Sequence, residues 1–502
     1  MNANLYALFE SRFPEDRSHP FMVCEDGSVR SYADLHEGTA RIARVLTRLG
    51  LEPGDRVAAQ IEKSPEALLL YLAVLRAGLV FLPLNPAYQR SELQYFLADA
   101  EPRAVICDPR QLELLQQLGA PCGVEHFLTL DESGQGTLME ACGMAEAEFA
   151  TAHSEGDSLA TILYTSGTTG RSKGALLTHR NLSVNALTLH DYWGFEESDV
   201  LLHALPIFHV HGLFVATHCV LLNGSAMLFH RKFDAARVVA ELPRTTVFMG
   251  VPTYYTRLLA ESSFDRESCR NMRLFISGSA PLLEETFGAF RERTGHTILE
   301  RYGMSETGMN TSNPLYGERI AGTVGVPLPG VSVRVTDDAG TPVETGTIGH
   351  MQVAGENVFR GYWRRPELNA QELTADGYFK TGDMGRFDAK GYLSIVGRSK
   401  DLVISGGFNV YPKEIETCID EIPGVLESAV IGVPHPDFGE AVTAIVVRRK
   451  DAQDLTEASI IATLKAQLAN YKIPKRVVWV DDLPRNAMGK VQKNLLRQML
   501  AP

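Results

Sequence analysis

Helix-period and strand-period runs alternate along the first three hundred or so residues. Ser31-Tyr-Ala-Asp34 has the form of a capping box and opens an apolar stripe through Ile42 and Leu46 to Gly50. Arg56 to Ile61 reads as a strand, and Ser64-Pro65-Glu66 starts a second helix that ends near Gly78. Val80 to Leu84 and Arg103 to Cys107 read as further strands, and the pattern recurs at Val247 to Val251 and Leu274 to Ser277. Alternation of this kind predicts α/β layers with parallel strands.

After about residue 320 the texture changes. Short β-type runs, Val331 to Val335, His350 to Val353 and Gly391 to Val396, are separated by Gly, Pro and Asp turns, predicting a β-rich subdomain. From Asp401 a separate alternation begins: helix over 414–420, strands over 428–433 and 441–448, helix over 458–470. The expected organisation is a large α/β domain with a β-rich subdomain, residues 1–397, followed by a small, mobile α+β domain, residues 398–502. The polar stretch Gly397 to Asp401 is the seam.

Composition narrows the class. The 502 residues are 45% hydrophobic and 22% charged, with a net charge of −13, as in soluble globular proteins of more than one domain. An acidic chain without a basic tract argues against nucleic acid as a partner. The seven cysteines are scattered, with no C-x-x-C pair, which points to a reducing compartment. The opening residues lack the form of a secretory signal, and no apolar run is long enough for a membrane span. The expected location is cytoplasmic.

The most informative chemistry is at Tyr164-Thr165-Ser166-Gly167-Thr168-Thr169-Gly170-Arg171-Ser172-Lys173-Gly174. Glycines that permit close backbone approach, hydroxyl donors and one lysine suit a phosphate chain. The spacing is not that of a Walker A loop. The apolar run Leu159 to Tyr164 reads as a strand before it and a helix is expected from Asn181 to Trp193, so the loop is read as a strand-to-helix anion site.

Six further segments follow in order: Phe208-His209-Val210-His211-Gly212, Ser277-Gly278-Ser279-Ala280-Pro281, Glu300-Arg301-Tyr302-Gly303-Met304-Ser305-Glu306-Thr307, Tyr378 to Asp383, Gly397-Arg398 through Asn409, and Pro484 to Lys490. Together with the loop they resemble the adenylate-forming superfamily of acyl-CoA synthetases, adenylation domains and luciferases, over essentially the whole chain. The resemblance implies ATP and CoA as co-substrates and Mg2+ as the metal. It implies that Thr165 to Lys173 enclose the β- and γ-phosphates, with Ser305 also on phosphate where the family more often has Thr. Glu306 is then the magnesium ligand, and Asp383, helped by Arg398, holds the ribose hydroxyls. Gly278, Ser279, Ala280 and Arg301 to Met304 would line the adenine, and Lys490 would stabilise charge developing at the reacting carboxylate and α-phosphate. Lys400 stands at the hinge position, and Gly406 and Gly407 would approach the pantetheine arm.

Among acids, the stretch Glu300 to Ser312, with Met249 to Pro252, Ile404 to Pro412 and Pro484 to Lys493, resembles the malonyl-CoA synthetase branch. A diacid needs a short pocket closed by a cation, and Arg273 is the candidate, with His209; Val210 and Met309 would limit depth. His209 is an aromatic gate by resemblance. Its pairing with His211 at i, i+2 on a strand could also suit a metal, but no third ligand lies at conventional spacing. The expected reaction is AMP-forming ligation of malonate to CoA. Methylmalonate, another short or aryl acid, or loading of a carrier protein stay open beside it. Retention of Glu306 and Lys490 argues against a non-enzymatic sensor, and a protein acetyltransferase acting on Lys490 is an implied partner.

Overall fold

The structure, a computed structural model, describes residues 2–165, 172–405, 408–436, 438–450, 452, 454–486 and 489–500. The capping box is present: Ser31 caps the helix Tyr32–Arg48, with Asp34 returning the bond to the Ser31 N–H. The stripe Leu35, Ile42, Val45 and Leu46 is buried against the helix Pro65–Arg76, whose apolar residues continue around its circumference and are buried likewise.

Two large sheets organise the first part of the chain. One runs in the order His126–Thr129, Ala104–Cys107, Arg56–Gln60, Val80–Pro83, Leu159–Thr165, Lys173–Thr178. The other runs Val326–Pro327, Gly308–Ser312, Leu299–Met304, Leu274–Ser277, Val247–Gly250, Val200–His203, Ala226–Phe229, Pro20–Cys24, Val29–Ser31. Their inner strands are parallel, so carboxyl ends gather at common rims, where ligands of α/β sheets bind. The β-rich part is an antiparallel sheet of Val331–Thr336, Gly349–Gly355, Phe379–Phe387 and Leu393–Arg398.

The remaining residues form a sheet of Val403–Ser405, Phe408–Val410, Val425–His435, Gly439–Arg448 and Arg476–Val480, with helices Pro412–Asp420, Glu457–Gln467 and Lys493–Leu500. The two apolar clusters here draw on no buried residue before Val403. Arg449 reaches back to Glu285 at 3.2 Å across this division.

Two expectations are corrected. The phosphate-type loop does not hand over to a helix: Lys173–Thr178 pairs antiparallel with Leu159–Thr165, so the loop closes a hairpin, and the helix His179–Tyr192 starts one strand later. Gly174, Ala175 and Leu177 of that strand are buried. His209 and His211 do not share a strand face either, because His209 lies in a turn and His211 opens the π-helix His211–Ala216.

Candidate active site

A cavity of about 1140 Å3 lies where the strand ends Leu159–Thr165 and Leu299–Met304 meet the last domain. Its lining brings together Thr165, Lys173, His209, Val210, Ser279, Arg301, Gly303, Met304, Ser305, Glu306, Met309, Arg398 and Lys490. These residues come from seven separate stretches of sequence. Ser166, Gly167, Thr168, Thr169, Gly170, Gly406 and Gly407 lie outside the described residues.

One end of the cavity is built on the hairpin. Thr165 and Lys173 stand opposite each other in register where the loop leaves its two strands. Thr165 Oγ1 donates to Glu306 Oε1 at 3.2 Å, and the hydroxyl of Tyr362 lies 3.0 Å from the same oxygen. Lys173 Nζ pairs with Glu372 Oε1 at 3.0 Å. Burial raises the Glu306 carboxyl above the usual range, against the pull of these hydroxyl donors.

A second region lies on the antiparallel sheet. Asp383 and Arg398 are cross-strand partners, with Arg398 Nε 2.7 Å from Asp383 Oδ1. The Tyr302 hydroxyl donates to Asp383 Oδ2 at 2.5 Å. The carboxylate raises the Arg398 pKa.

The third region surrounds Arg301. The strand Leu299–Met304 turns Glu300 away, to accept from the Leu282 N–H at 3.2 Å, and sends Arg301 to the cavity. The guanidinium lies against Gly278, where a Cβ would sit 2.4 Å from Arg301 Cζ. Arg301 is 3% exposed, and its Nε and Nη2 are buried without a hydrogen-bond partner among the described residues. Burial pulls it down to about 9, which leaves it protonated at neutral pH. Nearby, Ser279 adopts φ 72, a left-handed conformation rare for serine, and its Oγ meets His211 Nδ1 at 3.3 Å. Burial, followed by Lys490 and Arg301, lowers His209 to about 3, so its ring is neutral.

Val210 and Met309 form the buried wall beside this cation. Asn185 fixes Met309 through bonds of 3.1 and 3.0 Å to its N–H and C=O. Gly303 is demanded here, since a Cβ would lie 2.2 Å from the Gly308 carbonyl oxygen. Behind Val210, buried Lys63 donates to the carbonyls of His203 and Leu205, and His203 Nε2 meets Gly212 O at 2.9 Å. That chain of bonds holds the π-helix in place.

Lys490 enters from the last domain. Its N–H donates to Asn486 Oδ1 at 3.0 Å, and Arg485, ion-paired with Glu427, donates to Gly489 O at 2.6 Å. The surrounding protein and Arg398 lower the Lys490 ammonium from the usual lysine range, although the side chain still opens on the cleft. Lys400 sits in the short turn Ser399–Asp401, between the strands Leu393–Arg398 and Val403–Ser405.

Arg273 is a correction. It precedes the strand Leu274–Ser277 and therefore stands at the rim opposite the cavity, since residues at the other end of this strand flank the site. There it forms a bidentate ion pair with buried Asp199, its Nε 2.7 Å from Oδ1. Gly278, Ala280, Tyr302 and Asp383 do not line the cavity themselves but adjoin or bond to residues that do. Sequence reasoning missed Tyr362 and Glu372, and assigned Arg301 to the adenine. A basic residue directly before Tyr302-Gly303, inside one of the ordered segments, was the available signal for Arg301.

Among the described residues no group of three His, Cys, Asp or Glu side chains could hold a metal by itself, and no helix is long and apolar enough to cross a membrane. The seven cysteines are unpaired.

Comparison with known proteins gives the same picture by an independent route. A model of the AMP-binding enzyme family matches residues 9–363, and one of the AMP-binding enzyme C-terminal domain matches 414–490. A malonate–CoA ligase of Arabidopsis thaliana is 33% identical, covering 99% of this chain and 90% of that protein. A feruloyl-CoA synthase of Amycolatopsis sp is 34% identical, covering 96% of each. The crystal structure of ATP-bound MatB from Rhodopseudomonas palustris superposes with a TM-score of 0.97, at 55% identity and 99% coverage of both chains.

Proposed function

Because the chain belongs to the AMP-binding enzyme family, we propose that it is an ATP-dependent, AMP-forming acid–thiol ligase whose acid is malonate. It forms malonyl-CoA, AMP and pyrophosphate. The observation that carries the choice of acid is Arg301, a buried cation with two unpartnered nitrogens beside the neutral His209. A desolvated guanidinium without a counter-ion is costly, and the cost is removed by an anion that arrives with the substrate. Malonate carries such an anion one methylene from its reacting carboxylate. An aryl acid such as ferulate offers none, so similarity to a feruloyl-CoA synthase does not compete on this ground. The full-length likeness to MatB supports the same reading.

In the first step a malonate carboxylate oxygen attacks the α-phosphorus of ATP, the bond to the β-phosphate breaks, and pyrophosphate leaves. Thr165, Lys173 and the loop between them, including Ser166 to Gly170, hold the departing phosphates. Asp383 accepts from the ribose hydroxyls, with Arg398 holding it in place, and the adenine lies by Gly278 to Ala280 and Tyr302 to Ser305. Lys490 stabilises negative charge on the reacting oxygens. In the second step the CoA sulfur attacks the carbonyl carbon and AMP leaves, with Gly406 and Gly407 close to the pantetheine arm. Residues 1–397 and 398–502 are the two moving bodies, and Lys400 is the hinge.

The residues fit a magnesium ion: Glu306 is a buried carboxylate whose Oε1 meets hydroxyl groups rather than a cation. Bound there with the triphosphate, magnesium would neutralise phosphate charge. Cytoplasmic location fits the unpaired cysteines. Acetylation of Lys490 by a protein acetyltransferase would remove its charge, and its exposure to the cleft is what supports that idea.

The test is pyrophosphate release with malonate, followed by addition of CoA. The expected outcome is malonate-dependent release and conversion to malonyl-CoA only when CoA is supplied. Release with monocarboxylates and none with malonate would overturn the assignment of the acid.

A further inference from the structure

Lys173 is not waiting free for a phosphate. Its side chain is 12% exposed and its ammonium pairs with Glu372, itself held by the Tyr362 hydroxyl at 3.1 Å from Oε2. The ring of Tyr362 lies beneath the same ammonium, 5.0 Å from Nζ. Backbone bonds fix this arrangement: Trp363 N donates to Gly174 O at 2.8 Å, and Leu176 N to Gly361 O at 3.0 Å. The segment carrying Tyr362 is thereby bound to the strand carrying Lys173. Glu372 ends the helix Pro366–Glu372, whose Asn369 accepts from the Tyr362 N–H at 2.7 Å.

Tyr362 stands between two carboxylates, its hydroxyl 3.0 Å from Glu306 Oε1 and 3.1 Å from Glu372 Oε2. A phenol has one proton to donate, so it serves one of them at a time. Two carboxylates thus share one phenol and one ammonium here, in the place where a triphosphate would enter.

We infer that Glu372 is a resting counter-ion of Lys173 that competes with the nucleotide phosphates, and that Tyr362 hands its proton from Glu306 to Glu372 as the phosphates take Lys173. The inference rests on the reading of this corner as the phosphate site. Glu372 is then a positioning residue that weakens ATP binding and speeds the departure of pyrophosphate. A carboxylate 3.0 Å from the ammonium must be displaced before a phosphate oxygen can take its place. When pyrophosphate leaves, the same carboxylate recaptures the lysine.

Glu372→Gln keeps the size of the side chain and an oxygen for the Tyr362 proton while removing the competing charge. Its dissociation constants for Mg-ATP and for pyrophosphate, measured by calorimetry on the full chain, are expected to fall about fivefold or more. The gain should shrink at high salt. Combining it with Lys173→Met should abolish the gain, because the charge competed for is gone. Unchanged or weaker ATP binding in a Glu372→Gln protein of normal melting temperature would overturn the inference. So would a gain that persists without Lys173. Wild-type protein that binds no ATP would instead sink the ligase reading, and the choice of acid plays no part in this assay.

Discussion

At the phosphate end of the cavity, Lys173, Glu372, Tyr362, Glu306 and Thr165 are bonded to one another, whereas at the acyl end Arg301 keeps two guanidinium nitrogens without a partner. The first arrangement is satisfied at rest, and a ligand enters it by exchange. Its binding energy is therefore a difference between two sets of charge-assisted bonds. The second is unsatisfied at rest, and a ligand enters it by completion. A group already paired discriminates weakly among anions, while a buried unpaired cation rejects any substrate that fails to bring one. On this account ATP affinity is tuned at one end and acid choice is enforced at the other.

The largest effect is expected where completion is removed. Arg301→Met leaves the second carboxylate of malonate buried without a cation, a cost of about 3–5 kcal/mol. Malonate kcat/KM should fall by roughly two to four orders of magnitude with the KM for ATP nearly unchanged; loss of both together would erase the contrast between the two ends. The exchange at Glu372 is expected to have a smaller effect and the opposite sign, a gain in nucleotide affinity. Smallest in catalysis is Arg273→Ala. Asp199, 2% exposed at its side chain, would lose its cation but keep bonds from Thr246 Oγ1 and the Glu196 N–H. A loss of about 2 kcal/mol in stability is expected, read as a lowered melting temperature, with malonate kinetics unaltered. A raised malonate KM would return Arg273 to the site.

The contrast between Arg273 and Arg301 also marks how far the sequence could be read. Both belong to neighbouring parallel strands of one sheet, and both precede a motif that reaches the cavity. Strand direction and register separate them: Arg273 precedes its strand at the far rim, while Arg301 follows Glu300, which lies level with Ser277 at the near rim. Local pattern predicted the strand Leu274–Ser277, an apolar run that follows a polar residue. It could not say which end of a strand faces the ligand without the sheet order. The hairpin at Lys173–Thr178 was missed for a related reason: its alternation is weak because both faces are covered. Tyr362 and Glu372 belong to no motif noticed in the chain. They matter because backbone pairing at Gly174 brings them in from nearly two hundred residues away. Glu306, Asp383, Arg398 and Lys490, by contrast, were named from ordered motifs, and the fold brings three of them to one cavity with Asp383 bonded at its edge.

The central claim is that an unpaired buried cation selects a dicarboxylate, and one ratio tests it most directly. Pyrophosphate release by the wild-type protein should be measured with malonate and with 3-methylbutanoate, which approximates its shape without the second charge. The account predicts a kcat/KM for malonate higher by roughly three orders of magnitude or more. A ratio near one would contradict it.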